Sequence, residues 1–136
     1  AQVVEAAAAL VTAIQANVPT SDLLAIGGDF NTDVRAEPAL TTLTSVVQTA
    51  APYPADQNGN ANTSGPRTRP YDWLLFDGDL AALQVPAVIG ASTYPSGLVL
   101  DSRVYTPLTE VMPVLAADSG ATNMQHMALA RDVLIP

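Results

Sequence analysis

The chain contains 136 residues, of which 49% are hydrophobic; it carries a formal net charge of −8 and has no cysteine. The length suits one domain and the apolar content excludes a disordered segment, while the lack of cysteine excludes disulfides and thiolate metal sites. No apolar run approaches the roughly 20 residues of a membrane span, and the negative charge disfavours nucleic-acid binding unless cations screen it.

An amphipathic helix is the first predicted element, over about residues 2–16. Its apolar positions recur at helical spacing, at Val3, Ala7, Leu10 and Ile14. The chain opens on an alanine inside this pattern, with no methionine and no basic segment or cleavage site of a targeting peptide. We therefore expect a fragment or one piece of a processed chain. The compartment, secretion included, is left open.

The next two predicted elements are a strand and a helix. A short buried strand is expected over Leu23 to Ile26, where it runs into a pair of glycines. A second helix is expected to begin at Pro38, because proline suits the first turn of a helix. The apolar stripe of this helix consists of Leu40, Leu43, Val46 and Val47.

Residues 52–70 are rich in Pro, Asn, Gly, Ser and Thr and have no periodicity, which predicts a long loop. A loop of this length inside a compact domain is usually functional or mobile, and we expect it to line the mouth of a site. Strand-like stretches follow at 71–76, 87–90, 98–100 and His126 to Ile135. Helices and strands are therefore mixed, which predicts an α/β (α+β) fold in a single unit over residues 1–136.

The stretch GGDFN, residues 27–31, contains the first candidate site residues. Glycines at a strand end let the backbone turn sharply and let a ligand come close. Asp29 and Asn31 lie two positions apart, so both side chains can project the same way from an extended segment. A carboxylate and an amide suit a metal-bound water beside a phosphoryl oxygen. The alternative is a turn in which both side chains bond to their own backbone.

Asp72 and His126 are the second pair of candidates. Asp72 lies among aromatic and aliphatic residues of a predicted strand, where a carboxylate without a partner is costly. His126 is the single histidine of the chain, and a carboxylate that orients an imidazole is a recurring catalytic device. The alternative is that Asp72 bonds to arginine or solvent and that His126 only fills space.

Two arginines of the loop, Arg67 and Arg69, are weaker candidates. A guanidinium matches the geometry of a phosphate, so either residue is suited to grip one. The alternative is that both are solvated loop charges. The stretches 101–105 and 117–123 have the composition of turns.

The order of these motifs resembles the carboxyl-terminal half of the endonuclease/exonuclease/phosphatase superfamily. That order is GDFN (28–31), a helix, a loop, YDWLL (71–75) and a histidine that opens a terminal strand. The superfamily includes DNase I-like nucleases, abasic-site endonucleases, inositol-polyphosphate phosphatases and neutral sphingomyelinases. The resemblance implies a DNase I-like two-sheet sandwich flanked by helices, of which this chain is about the carboxyl-terminal half.

The resemblance also implies metal-dependent hydrolysis of a phosphodiester or phosphomonoester by in-line attack of an activated water. Asp29 would orient or deprotonate the water, and Asn31, with Arg69 nearby, would bind the phosphate. Asp72 would accept a hydrogen bond from His126, which would stabilise charge on the phosphoryl oxygens. The expected cofactor is a divalent cation, usually Mg²⁺, with Asp29 among its ligands.

Two positions depart from the superfamily pattern. Gln125 precedes the histidine, where the superfamily has an aspartate that helps to bind metal, and Asp118 would have to compensate as a metal ligand. The arginine often found two residues before the strand aspartate is displaced, since Pro70 stands there and Arg69 lies one position further back.

The resemblance implies two partners: the amino-terminal half of the same domain and a phosphate-ester substrate. The missing half would supply an asparagine, a metal-binding glutamate and usually a second histidine. Nucleic acid, phospholipid and sugar phosphate all stay open as substrates. Gln125 and the net charge support an alternative, a catalytically degraded member that acts as a binding or interaction module. In a further alternative the motif order is a coincidence in an unrelated small α/β domain, and Asp72 and His126 lie far apart.

Overall fold

The computed structural model describes residues 2–136, and the predicted mixture of helix and strand is confirmed. Over these residues no helix has both the length and the apolar character to span a bilayer. The helices are α1 (Gln2–Asn17), α2 (Pro38–Leu43) and α3 (Gly78–Ala82), with 3-10 helices at Leu108–Val111 and Asp118–Gly120. The strands are β1 (Ala25–Asp29), β2 (Asp72–Phe76), β3 (Gln84–Val85), β4 (Ala87–Ile89), β5 (Ser92–Tyr94), β6 (Leu98–Leu100), β7 (Ala128–Ala130) and β8 (Asp132–Val133).

The strands pair into antiparallel two-stranded sheets, namely β1–β2, β3–β8, β4–β5 and β6–β7. The β1–β2 pair positions the candidate site, because its register sets Asp29 directly opposite Asp72. Strand β2 also packs against β7, the strand that follows His126. The fold therefore brings three distant parts of the chain to one end of the β1–β2 sheet.

The larger hydrophobic core lies between α1, α2 and β2. Trp73 and Leu75 are buried on one face of β2, as the alternation of this stretch predicts, and Leu40 and Leu43 of α2 belong to the same cluster. Burying an apolar side chain of this size contributes about 1.5–3 kcal/mol. This packing fixes the strand that begins at Asp72.

Strand β1 differs from the short buried strand that was expected over Leu23 to Ile26. It begins at Ala25, runs through the two glycines to Asp29, and is exposed at all positions except Ile26. The glycines continue the strand because β2 lies opposite them across the antiparallel ladder. Strand β1 is exposed because, within residues 2–136, it pairs with β2 alone. The other edge of β1 is therefore left open.

Helix α2 ends earlier than its apolar stripe predicts. It begins at Pro38 as expected but ends at Leu43. Val46 and Val47 follow in a turn, and the N–H groups of both residues donate to the carbonyl of Leu43. The hydroxyls of Thr42, Thr44 and Ser45 bond to carbonyls three or four residues back, which competes with regular helix. Val47 is nevertheless 3% exposed and joins the core.

The terminal segment is not the single strand that was expected from His126 to Ile135. It is divided into β7 and β8, which pair with different strands, β6 and β3. Arg131 separates the two, with its guanidinium 4.0 Å from the ring centroid of Phe76. The strands expected at 87–90 and 98–100 correspond to β4 and β6.

The segment 52–70 has no helix or strand of its own, as predicted, apart from isolated β-bridges. Buried ion pairs hold this segment in place instead. The Arg67 guanidinium lies 2.9 Å from Asp56 and 2.8 Å from Asp101, and its side chain is 9% exposed. Burial alone raises the pKa of Asp101, but hydrogen bonds from Arg103 and Arg67 outweigh it and lower the pKa to about 2. Arg67 is therefore a structural cation and not a solvated loop charge.

Candidate functional site

The imidazole of His126 lies between two carboxylates at one end of the β1–β2 sheet. Its Nδ1 atom is 3.1 Å from Oδ2 and 3.2 Å from Oδ1 of Asp72. Its Nε2 atom is 3.8 Å from Oδ2 of Asp29. The expected contact between Asp72 and His126 is therefore present, whereas a coincidental order of motifs would leave the two far apart.

Exposure increases across this cluster, which we define as Asp29, Asp72 and His126. The side chain of Asp72 is 16% exposed, that of His126 is 36% exposed and that of Asp29 is 50% exposed. The carboxylate on Nδ1 is thus the most enclosed of the three groups, and the side of the ring that carries Nε2 opens towards solvent. This arrangement suits a ring that Asp72 anchors through Nδ1 and that presents Nε2 to a ligand.

The chemistry of the pair follows from the two ring nitrogens. When Nδ1 carries a proton it donates to the Asp72 carboxylate, which fixes the orientation of the ring. Nε2 is then left to interact with Asp29 or with a ligand. The ring of Tyr71 lies 5.6 Å from the imidazole, centroid to centroid, and limits its movement on one side.

Asn31 does not continue the extended segment from Asp29. Its φ angle is +49°, and its N–H donates to Oδ1 of Asp29 at 2.7 Å. The expectation that Asp29 and Asn31 lie in one extended segment is therefore wrong, because the chain turns at Asn31. The turn fixes one carboxylate oxygen of Asp29 and leaves Oδ2 directed at His126.

The remaining predicted site residues lie outside the cluster. Arg69 is exposed and its guanidinium pairs with Oδ1 of Asp33 at 2.6 Å. Asp118 is exposed and accepts a hydrogen bond from the N–H of Leu115 at 2.8 Å, which closes a local turn. The structure thus brings together Asp29, Asp72 and His126, with Asn31 beside Asp29 in sequence.

Whether the cluster fits a divalent cation depends on which oxygens are open. Ligand atoms of Asp29, Asp72 and His126 lie within 4.8 Å of one another. Both oxygens of Asp72 face Nδ1, and Oδ1 of Asp29 accepts from Asn31, so Oδ2 of Asp29 is the open oxygen. Mg²⁺ is commonly held by one or two carboxylates together with water and phosphate oxygens. The cluster thus offers one open carboxylate oxygen to a cation, and other groups would have to supply the rest of any coordination shell.

The segment 63–65, which supports the site from within the protein, was not singled out from the sequence. Thr63 and Ser64 are 1% and 0% exposed, and they lie between the backbone of Asp72 and that of His126. Their local sequence, NTSG, has the composition of an ordinary turn, and the contacts that matter are made with residues far along the chain. No short-range pattern signals this role.

An apolar groove of about 190 Å³ adjoins Asp29. It is lined by α1 and α2 and by the residue that follows β1, including Val3, Leu10 and Phe30.

No protein-family model, curated protein or solved structure matches this chain.

Proposed function

We propose that this chain is the carboxyl-terminal half of a DNase I-like two-sheet sandwich of the endonuclease/exonuclease/phosphatase superfamily, and that it hydrolyses phosphate esters. The observation that supports the proposal is the position of the His126 imidazole, 3.1 Å from Asp72 and 3.8 Å from Asp29. A histidine held in this way beside a second, open carboxylate suits the stabilisation of a phosphoryl group under attack.

In the proposed reaction a water attacks phosphorus, and the bond to the ester oxygen breaks. Asp29 orients the water through its open Oδ2, and the proton that the water loses passes to solvent. His126, charged and anchored by Asp72, stabilises the negative charge on the phosphoryl oxygens. The side-chain amide of Asn31 binds the phosphate, and the leaving oxygen takes up a proton from solvent. A divalent cation, Mg²⁺, held by Asp29 would neutralise further charge on the phosphoryl group.

Two features of the surface support a missing amino-terminal half as partner. Strand β1 has an open edge among the described residues and is exposed along most of its length. Val3 and Leu10 of α1 are 57% and 41% exposed, and both line the apolar groove beside Asp29. An open edge and an exposed apolar face are normally covered. We propose that the missing half covers them and completes the metal coordination.

The test is hydrolysis of a generic phosphodiester, bis(p-nitrophenyl) phosphate, by the full-length protein with Mg²⁺. We expect His126→Ala to lower kcat by on the order of 100- to 1000-fold, because the variant loses its charge stabilisation in the transition state. Asp132→Asn, which changes an exposed carboxylate outside the cluster, is the matched control and should leave kcat unchanged. Hydrolysis that persists undiminished in His126→Ala would refute the assigned roles.

A second candidate function, a binding or interaction module with a degraded site, has specific support. Gln125 supplies no carboxylate, and Asp118 is engaged in its own turn, so the cluster offers one open carboxylate oxygen. Calorimetric titration of the full-length protein with Mg²⁺ separates the two functions, because a degraded site should bind no Mg²⁺. If Gln125→Asp raises both Mg²⁺ affinity and hydrolysis, the site lacks a metal ligand and is not built for another purpose.

A further inference from the structure

The segment Thr63–Gly65 lies between the two parts of the chain that carry Asp72 and His126. It belongs to the irregular stretch 52–70, yet Thr63 and Ser64 are among the most completely buried side chains of the protein. Polar side chains are rarely buried to this extent unless their hydrogen bonds are satisfied. The partners of these residues therefore indicate why they are inside.

On one side, the segment holds the start of β2. The hydroxyl oxygen of Thr63 accepts a hydrogen bond from the backbone N–H of Asp72 at 2.7 Å. The Ser64 hydroxyl accepts from the N–H groups of Thr68 and Arg69 at 3.1 and 3.0 Å, which fixes the chain leading into Asp72. The position of the Asp72 backbone thus depends on Thr63 directly.

On the other side, the segment holds the backbone on both sides of His126. The N–H of Gly65 donates to the carbonyl of Gln125 at 2.7 Å. The N–H of Met127 donates to the carbonyl of Thr63, also at 2.7 Å. His126 is therefore bracketed by two short backbone hydrogen bonds, one made by Gly65 and one by Thr63, the residue that also holds the Asp72 backbone.

The approach at Gly65 is close enough to require glycine. A Cβ atom added there would lie 2.6 Å from the carbonyl oxygen of Met124, a backbone atom that cannot move without moving its neighbours. The segment that leads into His126 would have to withdraw. Any larger residue at position 65 should therefore displace the imidazole from the carboxylate of Asp72.

We propose that Thr63–Gly65 is a positioning segment, which sets the distance between the Asp72 carboxylate and the His126 imidazole by holding both backbones at once. Its effect on catalysis rests on the proposed function, whereas its effect on the geometry of the pair does not. A misplacement of about 1 Å can cost on the order of 100-fold in rate. Small changes in this segment should thus alter both kcat and the NMR resonances of the His126 ring.

The kinetic test uses Thr63→Val and Gly65→Ala in the full-length protein with bis(p-nitrophenyl) phosphate and Mg²⁺. Thr63→Val keeps the shape and removes the hydroxyl, and we expect kcat to fall by about 10- to 100-fold with little change in KM. Thr63→Ser, which restores the hydroxyl, should recover most of kcat. A folded Thr63→Val enzyme with the kcat of wild type would overturn the proposal.

Matched controls separate positioning from general loss of stability. Ser102→Ala removes a buried hydroxyl that also makes two hydrogen bonds, to Ala116 and Ser119, in another loop. Gly78→Ala adds a methyl group where the nearest heavy atom is 3.9 Å away. Both controls should keep the wild-type kcat. If Ser102→Ala lowers kcat as much as Thr63→Val, the effect is one of stability and the proposal fails.

A spectroscopic test decides the geometry without reference to hydrolysis. Amide exchange should be slow at Asp72 in wild type and faster in Thr63→Val, since this N–H loses its acceptor. The ¹⁵N and ¹H resonances of the His126 ring should shift in Thr63→Val and Gly65→Ala and not in the two controls. An unprotected Asp72 amide in wild type would overturn the positioning role even if neither variant folds. If the wild type hydrolyses no phosphate ester, the proposed function fails, and the exchange and ring resonances still decide the positioning segment.

Discussion

At the scale of single residues, two arginines only two positions apart have opposite environments. The side chain of Arg67 is 9% exposed and pairs with two carboxylates, whereas the side chain of Arg69 is 51% exposed and pairs with one. A pair at the surface is screened by water, while a buried cation compensates charges that would otherwise be left uncompensated. The two residues should therefore differ sharply in what they contribute to stability.

We expect Arg67→Met to lower the free energy of unfolding by about 3–5 kcal/mol, because Asp56 would stay buried without a cation and Asp101 would keep only Arg103. Arg69→Met, the matched control, should cost only about 0–1 kcal/mol. Urea denaturation of the full-length protein measures both values. Equal losses in the two variants would contradict the assignment of Arg67 as a structural cation.

The residues in and around the candidate site differ in how far the sequence reveals them. Asp72 is conspicuous as a carboxylate in an apolar strand, and the single histidine is its natural partner. The left-handed backbone of Asn31 is not visible in GGDFN, because a strand and a turn both accommodate that sequence. Thr63 gives no signal at all, since its hydrogen bonds join residues that only the tertiary fold brings together.

At the scale of elements, the shortest α-helix depends on its cap. Helix α3 has five residues and follows Asp77, whose Oδ1 accepts from the N–H of Leu80 at 2.8 Å. The other oxygen of the same carboxylate accepts from the N–H of Leu24 at 3.1 Å. One side chain thus caps α3 and ties it to the residue before β1.

We expect Asp77→Ala to lower the free energy of unfolding by about 1–2 kcal/mol, since the cap is lost and the Leu24 N–H loses its acceptor. Asp77→Asn keeps one acceptor oxygen and should cost less. Asp79→Ala, an exposed carboxylate in the first turn of α3, is the control and should cost only a few tenths of a kcal/mol. Guanidinium denaturation distinguishes the three variants, and a cost for Asp79→Ala as large as that for Asp77→Ala would rule out the cap.

Elements were predictable where the pattern was long or strongly alternating. Helix α1 was expected to end at about residue 16 and ends at Asn17, and the stretch 71–76 yields β2. The extension of β1 through its glycines was not predictable, because the partner strand, far along the chain, supplies the ladder. The prediction of a single terminal strand was wrong for the same reason, since a change of pairing partner at Arg131 divides this stretch into β7 and β8.

At the scale of the whole molecule, acid stability should reveal the buried charge network around Asp101. The pKa of Asp101 is lowered to about 2 in the folded protein, against about 3.9 for an unfolded aspartate. The folded state therefore binds this proton less readily than the unfolded state. Its stabilising contribution is fully present above about pH 4 and is lost as the pH falls towards 2.

We expect the free energy of unfolding to decrease by about 2 kcal/mol between pH 4 and pH 2 on account of this one group. Denaturant titrations at several pH values measure the slope, and Asp101→Asn should flatten it. Protonation also reduces the net charge of −8 and so relieves repulsion, an effect of the opposite sign. A stability that rises through this window, with no difference between wild type and Asp101→Asn, would contradict the network.

The register of β1 against β2 has a consequence for the order in which this molecule folds. It sets Asp29 and Asp72 opposite each other, and like charges in that position repel across the ladder. The imidazole that separates them is 54 residues further along the chain from Asp72. Until the carboxyl-terminal segment docks, the two carboxylates face each other with no group between them. Docking of His126 therefore completes the Asp29, Asp72 and His126 cluster and places a hydrogen-bonding ring between the two carboxylates in the same step.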